Sequence, residues 1–389
     1  MMQNEAIKAK TALTGLCTGH FIIDAYAAIL IPLYPFIVQK LGINLATISL
    51  IIAIGHSISS ILQPVFGHIS DKLHKRVFMF WGVIFASLFM PLGFIAPNTI
   101  LLTLCLMLGM IGNAFYHPQV TSIIKDFYKE NLKLSHAIGL FLGCGTIGYA
   151  AGPYLSTCIL KKFGEGNYAY IAIIGIITAF LMLFFVPKIE KKERINTGNF
   201  ILAIKEILKN KTCIFLIIIT VIKAMLVMYY GTYIPFLLKK FEFPITNIGL
   251  ILTLFYIAGG LSMMISSGLE KHIKIKGVII ASYLPLLPLT VLSLICLKYN
   301  TFLASVLFII TDFFVLLSAG VVLAHAQRIM SKHTGTISGI IQGFTLALGS
   351  LSLIPFGFIG ENTGVEYILI LISAIAFFAA LYTAKTKLI

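Results

Sequence analysis

Twelve apolar stretches, the first at 11–38 and the last at 364–384, constrain this chain more than any single motif. Each runs to roughly 20 residues or more, the length at which a helix crosses a ~30 Å hydrocarbon core. Inside a bilayer no water is available to the backbone, and a helix satisfies its polar groups within the segment. Composition supports the same reading. The 389 residues are 59% hydrophobic and 11% charged, with a mean hydropathy of +0.99. A soluble domain is about 25% charged and must leave much of its surface in water. The expected fold class is therefore an all-α integral membrane protein with twelve transmembrane helices.

A net charge of +15 raises the question of a nucleic-acid partner. Its distribution answers otherwise. With a cytoplasmic N-terminus, 22 Lys and Arg fall in the cytoplasmic loops and tails, six face the opposite side, and Lys223 lies inside a segment. That asymmetry follows the positive-inside rule and puts both termini in the cytoplasm of a bacterial inner membrane. Attraction to anionic headgroups accounts for the charge. The first segment is too long for a signal-peptide core and lacks a small-residue cleavage site, so it is expected to persist as a helix. The six cysteines form no CxxC pair and read as small buried hydrophobes, with neither a disulfide framework nor a metal site. No Walker A, HExxH or GxSxG pattern occurs, so the expectation is no cofactor and no enzyme.

The longest polar gap, 188–211, splits the segments six and six. It separates an N-terminal lobe (1–187) from a C-terminal lobe (212–389). Its later part, FILAIKEIL, has apolar residues at helical spacing with a lysine between them and predicts a short helix on the membrane surface. At an offset of 200, PFIVQKLGINLATISLI (35–51) lies over PFLLKKFEFPITNIGLI (235–251), and Gly139 and Gly143 lie over Gly339 and Gly343. With a loop adjustment of eight, His117-Pro118-Gln119 falls on His325-Ala326-Gln327. Three matches in chain order indicate a parallel duplication, the architecture of two-lobed secondary transporters.

The loop after segment 2 reads GHISDKLHKR and contains Gly67, Asp71, Lys72 and Arg76. It resembles the signature loop of the major facilitator superfamily, with a weaker echo at Gly268-Leu269-Glu270-Lys271. Segment 5 carries GCGTIGYAAGP, similar to the GxxxGP motif of the drug–proton antiporter branch. The nearer likeness is to the fosmidomycin-resistance type of efflux protein, through GHFIID, SSILQPVFGHISDK and GNAFYHPQ in the same order. It is strong over 15–160 and weak in the second half. That subfamily carries a carboxylate after its His-Pro. Here Gln119 takes the place, and a neutral amide cannot take up and release a proton as a carboxylate does. The resemblance implies that segments 1, 4, 7 and 10 line a central cavity and that the loop is a charge latch between lobes.

Asp24, Asp312 and Lys223 are the charged residues deep in apolar segments, roughly 16–20 Å from the segment ends at ~1.5 Å per residue. A charge at that depth calls for a partner or a water-filled cavity. All three fall on the implied cavity segments, as do His20, His117 and His325. Asp24 stands one helical turn from His20, a pairing suited to proton coupling or cation binding, or to a structural tie. Lys223 reads as a contact for an anionic substrate or as an ion-pair partner of Asp24 or Asp312, and Asp312 as a substrate contact or a structural pair. His117 reads as a cavity hydrogen-bonder, a cytoplasmic gate, or a donor to the Ala114 carbonyl that Pro118 frees, with Gln119 beside it as cavity wall. Tyr229, Tyr230 and Tyr233 could stack on an amphipathic substrate or simply pack. Together these residues point to a monomeric secondary transporter exchanging a small molecule for protons. Import of a nutrient or metallophore on the same fold is the alternative.

Overall fold

Asparagine marks where several of the helices begin. Asn98 and Asn300 accept the Leu101 and Leu303 N–H groups at 2.9 and 3.0 Å, and Asn210 accepts that of Cys213 at 3.0 Å. Each satisfies one of the N–H groups a helix start leaves unpaired, typically worth ~1 kcal/mol. The computed structural model describes residues 2–73, 76–128, 131–187 and 200–387. The side chains of 2–6, 67, 68, 70–73, 122, 125, 126, 131–136, 200 and 201 lie outside that description. Among the described residues all regular structure is helical.

By contacts the chain forms two compact units, Met1–Gly42 with Ile58–Ile195, and Ile43–Ser57 with Asn196–Ile389. The first unit holds α1 (Met2–Ala28), α2 (Tyr34–Leu41), the later part of α3 (Leu45–Leu73), α4 (Val77–Ile95), α5 (Thr99–Phe127), α6 (Asn131–Phe163) and α7 (Ala172–Phe185). Small residues let its helices touch backbone to backbone. A Cβ at Gly148 of α6 would collide with the Phe21 carbonyl of α1, and one at Gly152 would collide with the Ala25 carbonyl.

The second unit holds the first turns of α3, then α8 (Phe200–Lys209), α9 (Lys211–Lys240), α10 (Ile245–Tyr283), α11 (Leu286–Tyr299), α12 (Thr301–Leu317) and α13 (Ala319–Ile329). It continues with α14 (Thr334–Gly339), a π-helical turn at Ile340–Phe344, α15 (Thr345–Leu351), α16 (Leu353–Thr363) and α17 (Val365–Lys385). Eleven helical stretches are long and apolar enough to cross a membrane. One of them, Ile245–Tyr299, has 55 residues, more than twice the ~20 a crossing needs. The chain leaves helical geometry at Lys274 (φ 58, ψ 171), between the two segments expected there, and twelve crossings result. α8 lies where a short helix is expected, burying Ala203 and Ile207 while the Glu206 carboxylate takes a 2.9 Å contact from His333 Nε2.

The duplication is visible in matching joints. Lys40 pairs with Glu165 in one unit and Lys240 with Glu366 in the other, each linking the ends of a unit's first and last crossings. Gly42 (φ 63) and Glu242 (φ 58) both turn left-handed just past those lysines.

Candidate functional site

His20 and Asp24 sit one turn apart on α1, so their side chains share a face. His20 Nε2 is 3.1 Å from Asp24 Oδ2, and His20 Nδ1 is 2.7 Å from the Phe141 carbonyl oxygen on α6. A carbonyl only accepts, so Nδ1 carries the hydrogen. A neutral His20 would then turn a bare lone pair toward the carboxylate. The contact is a hydrogen bond only with one proton between the two groups, held as imidazolium and carboxylate or as imidazole and carboxylic acid.

The other carboxylate oxygen has a second imidazole. His117 Nε2, on α5, is 3.4 Å from Asp24 Oδ1. The side chains of His20, Asp24 and His117 are 4%, 17% and 28% exposed, so the cluster runs from the interior toward a solvent-accessible end at His117. His20 stacks on the Phe141 ring with centroids 3.9 Å apart and meets His117 edge-on at 5.0 Å. The neighbouring Tyr116 donates its hydroxyl to the Leu16 carbonyl at 2.6 Å, tying α5 to α1 beside His117. Gly145 of α6 completes the wall, since a Cβ there would run into both the His20 imidazole and the Asp24 carboxylate. One ligand atom from each of His20, Asp24 and His117 falls within 4.8 Å of the others, a spacing that would seat one small cation. Three donors stop short of the four that close a structural zinc site. Both carboxylate oxygens already face imidazoles, so the arrangement suits a proton better than a metal.

The remaining expected residues are placed differently. Gln119 is 3% exposed, and its Oε1 accepts the Met79 N–H at 2.5 Å in the first turn of α4. It caps a helix start rather than lining a cavity, because an unpaired N–H lies within its reach. Tyr229, Tyr230 and Tyr233 are fully buried in the second unit. Tyr229 donates to the Ser352 carbonyl at 2.9 Å, Tyr230 meets Ser373 Oγ at 2.8 Å and Thr290 Oγ1 at 2.5 Å, and Tyr233 meets Ser49 Oγ at 3.3 Å. Their hydroxyls tie helices of that unit together, the packing role that the sequence also allows.

Asp312 of α12 is buried against Gly259 of α10, and its Oδ2 has no hydrogen-bond partner among the described residues. Lys223 of α9 is half-buried and forms no ion pair among the described residues, so the expected Lys223 pairing with either aspartate is absent. Asp24 is engaged instead by two histidines on its own unit's helices. His325 is half-buried on α13, where Gln327 Nε2 donates to Ser338 Oγ at 2.8 Å and Arg328 pairs with Glu270 at 3.3 Å. Of the loop residues, Arg76 donates to the Leu183 carbonyl at 2.7 Å and to the Val186 carbonyl, satisfying the C-terminal end of α7 within its own unit. The side chains of Gly67, Asp71 and Lys72 lie outside the described residues.

Sequence reasoning missed Phe141, because its contribution is a backbone oxygen. It also missed Asn113, whose buried Oδ1 finds no partner among the described residues. The close spacing of Gly145, Gly148 and Gly152 was the available signal that α6 lies against α1.

Known proteins supply an independent comparison. The fosmidomycin resistance protein of Escherichia coli K12 is 24% identical over 369 residues, covering 93% of this chain and 90% of that protein. A multidrug resistance efflux pump PmrA homolog of Lactococcus lactis is 26% identical, covering 69% and 67%. A probable nitrate transporter, NarT, of Staphylococcus epidermidis is 29% identical, covering 57% of each. Among solved structures, the nucleoside transporter NupG superposes with a TM-score of 0.76 at 14% identity, covering 97% of this chain and 100% of that one. The family model described as Major Facilitator Superfamily matches residues 16–353, and with that span of match this chain belongs to the superfamily and is a membrane transporter, not an enzyme.

Proposed function

We propose that this protein is a proton-coupled secondary transporter. It exports a small molecule across the inner membrane by alternating access, and Asp24, His20 and His117 carry the proton. The observation behind this reading is the single proton that the His20–Asp24 contact requires, given that Nδ1 is committed to the Phe141 carbonyl. His117 is the most exposed of the three and delivers or removes the proton. Relatives named for fosmidomycin resistance and for multidrug efflux favour export.

A second reading, import or facilitated passage of a nutrient or metallophore, gains from the nitrate and nucleoside transporters among the similar proteins. In both readings Lys223, an ammonium on an apolar helix without an ion pair among the described residues, contacts a negatively charged group of the cargo. His325 remains a candidate for the cavity wall, and Gly67, Asp71 and Lys72 for a conformational latch. The protein works as a monomer with both termini in the cytoplasm.

The deciding experiment measures uptake of labelled candidates into inverted membrane vesicles under an imposed pH gradient. An exporter exchanging protons accumulates cargo when the vesicle interior is acidic. Asp24→Asn should abolish gradient-driven accumulation and retain downhill exchange, while Lys223→Gln should raise KM for an anionic cargo. Flux that ignores both the gradient and Asp24→Asn would remove the proton from the mechanism.

A further inference from the structure

Two thiols line one cavity beside the histidine–aspartate pair, and the transport reading uses neither. Cys17 lies on α1 about one turn before His20, and Cys144 lies on α6 next to Gly145. Both are half-exposed. They open into one cavity of about 450 Å³, walled also by Leu13, Thr14, Thr18 and Phe21. Thr14 and Thr18 spend their hydroxyl hydrogens on the Lys10 and Thr14 carbonyls, at 3.1 and 3.0 Å. The thiol pair is the reactive feature of this cavity.

The helices that carry the pair are already at backbone contact, with Gly148 against the Phe21 carbonyl and Gly152 against the Ala25 carbonyl. A direct disulfide would have to bring the sulfurs to ~2.05 Å with Cβ atoms ~3.8 Å apart. A single soft atom placed between the sulfurs needs no such approach, and thiolates are the ligands soft centres select.

We infer that Cys17 and Cys144 form a dithiol site for a trivalent arsenical, or a comparable thiophilic centre, that clamps α1 to α6. With an arsine oxide, two As–S bonds form and the As–O bond breaks. The oxygen leaves as water with both thiol hydrogens, and no electrons are exchanged. The bridge lands beside Gly145, whose missing Cβ makes room for His20 and Asp24. Fixing α1 to α6 there arrests the cluster. That arrest rests on the proposed proton role, whereas binding of the arsenical does not.

The test treats the full-length purified protein with phenylarsine oxide and reads intact mass and maleimide-reactive thiols. It compares wild type, Cys17→Ser, Cys144→Ser and Cys105→Ser. Wild type should gain one phenylarsenic adduct and lose two reactive thiols. The adduct should resist excess β-mercaptoethanol and come off with 2,3-dimercaptopropanol. Both site variants should lose this stable adduct and Cys105→Ser should keep it. If a serine variant does not accumulate, peptide mapping of the wild-type adduct onto Cys17 and Cys144 gives the same answer. An adduct that persists in either site variant, or that a monothiol releases as readily as a dithiol, overturns the site. Treated wild-type vesicles should stop transporting while treated Cys17→Ser vesicles continue. Unimpaired flux in fully adducted wild type overturns the clamp, and the separate response of flux to Asp24→Asn shows whether the proton reading falls with it.

Discussion

The proton proposed between His20 and Asp24 depends on a backbone oxygen. Because the Phe141 carbonyl holds Nδ1, the imidazole has one nitrogen left, and that nitrogen faces a carboxylate. Gly145 keeps this geometry open. Gly145→Ala should cut pH-gradient-driven flux at least about tenfold, the effect expected when a reacting group is displaced by ~1 Å, with normal membrane insertion. Flux at wild-type levels in that variant would show that the pair tolerates displacement. Tyr230 supplies the complementary case, since its hydroxyl joins Thr290 and Ser373 within a buried network. Tyr230→Phe should lower the stability of the purified protein by about 1 kcal/mol and leave KM unchanged. A raised KM at constant thermal midpoint would return Tyr230 to the cargo site. At this scale the i, i+4 partnership of His20 and Asp24 is legible in sequence. The third member is not, because His117 reaches Asp24 only through the packing of α5 on α1.

Helix ends repeat between the halves with one revealing difference. α2 stops at Gly42 in a left-handed turn, and α9 stops in the same way with Glu242 at the equivalent position. A non-glycine residue in that conformation costs about 1–2 kcal/mol. Glu242→Gly should therefore raise thermal stability by up to about 1 kcal/mol, part of the gain being offset by the freer unfolded chain. A lower unfolding midpoint would mean that the Glu242 side chain stabilises the turn. The break at Lys274 sits in the polar interval between two apolar segments and is readable from hydropathy. The capping of α4 by Gln119 is not readable, because that amide follows His-Pro in a segment that otherwise suggests a cavity wall.

For the whole molecule, the 22 to 6 distribution of basic residues predicts that both termini are cytoplasmic. A C-terminal fluorescent-protein fusion should glow and an alkaline phosphatase fusion at the same position should stay inactive, and the opposite pattern would invert the topology. The all-helical membrane fold and its apolar segments were determined by the sequence alone. Segment length, charge bias and internal repeat act locally along the chain and need no knowledge of packing. Which buried charges meet was decided only by the tertiary structure. Asp24, Lys223 and Asp312 share a depth in the membrane, yet partnership depends on the face each helix turns to its neighbours. Asp24 finds two histidines, Asp312 lies against the bare backbone of Gly259, and Lys223 has no ion pair among the described residues. Depth is fixed by counting residues, whereas rotation about the helix axis is fixed by glycine contacts such as Gly145 and Gly148 with α1. A candidate proton site therefore formed at one of three equally deep charges.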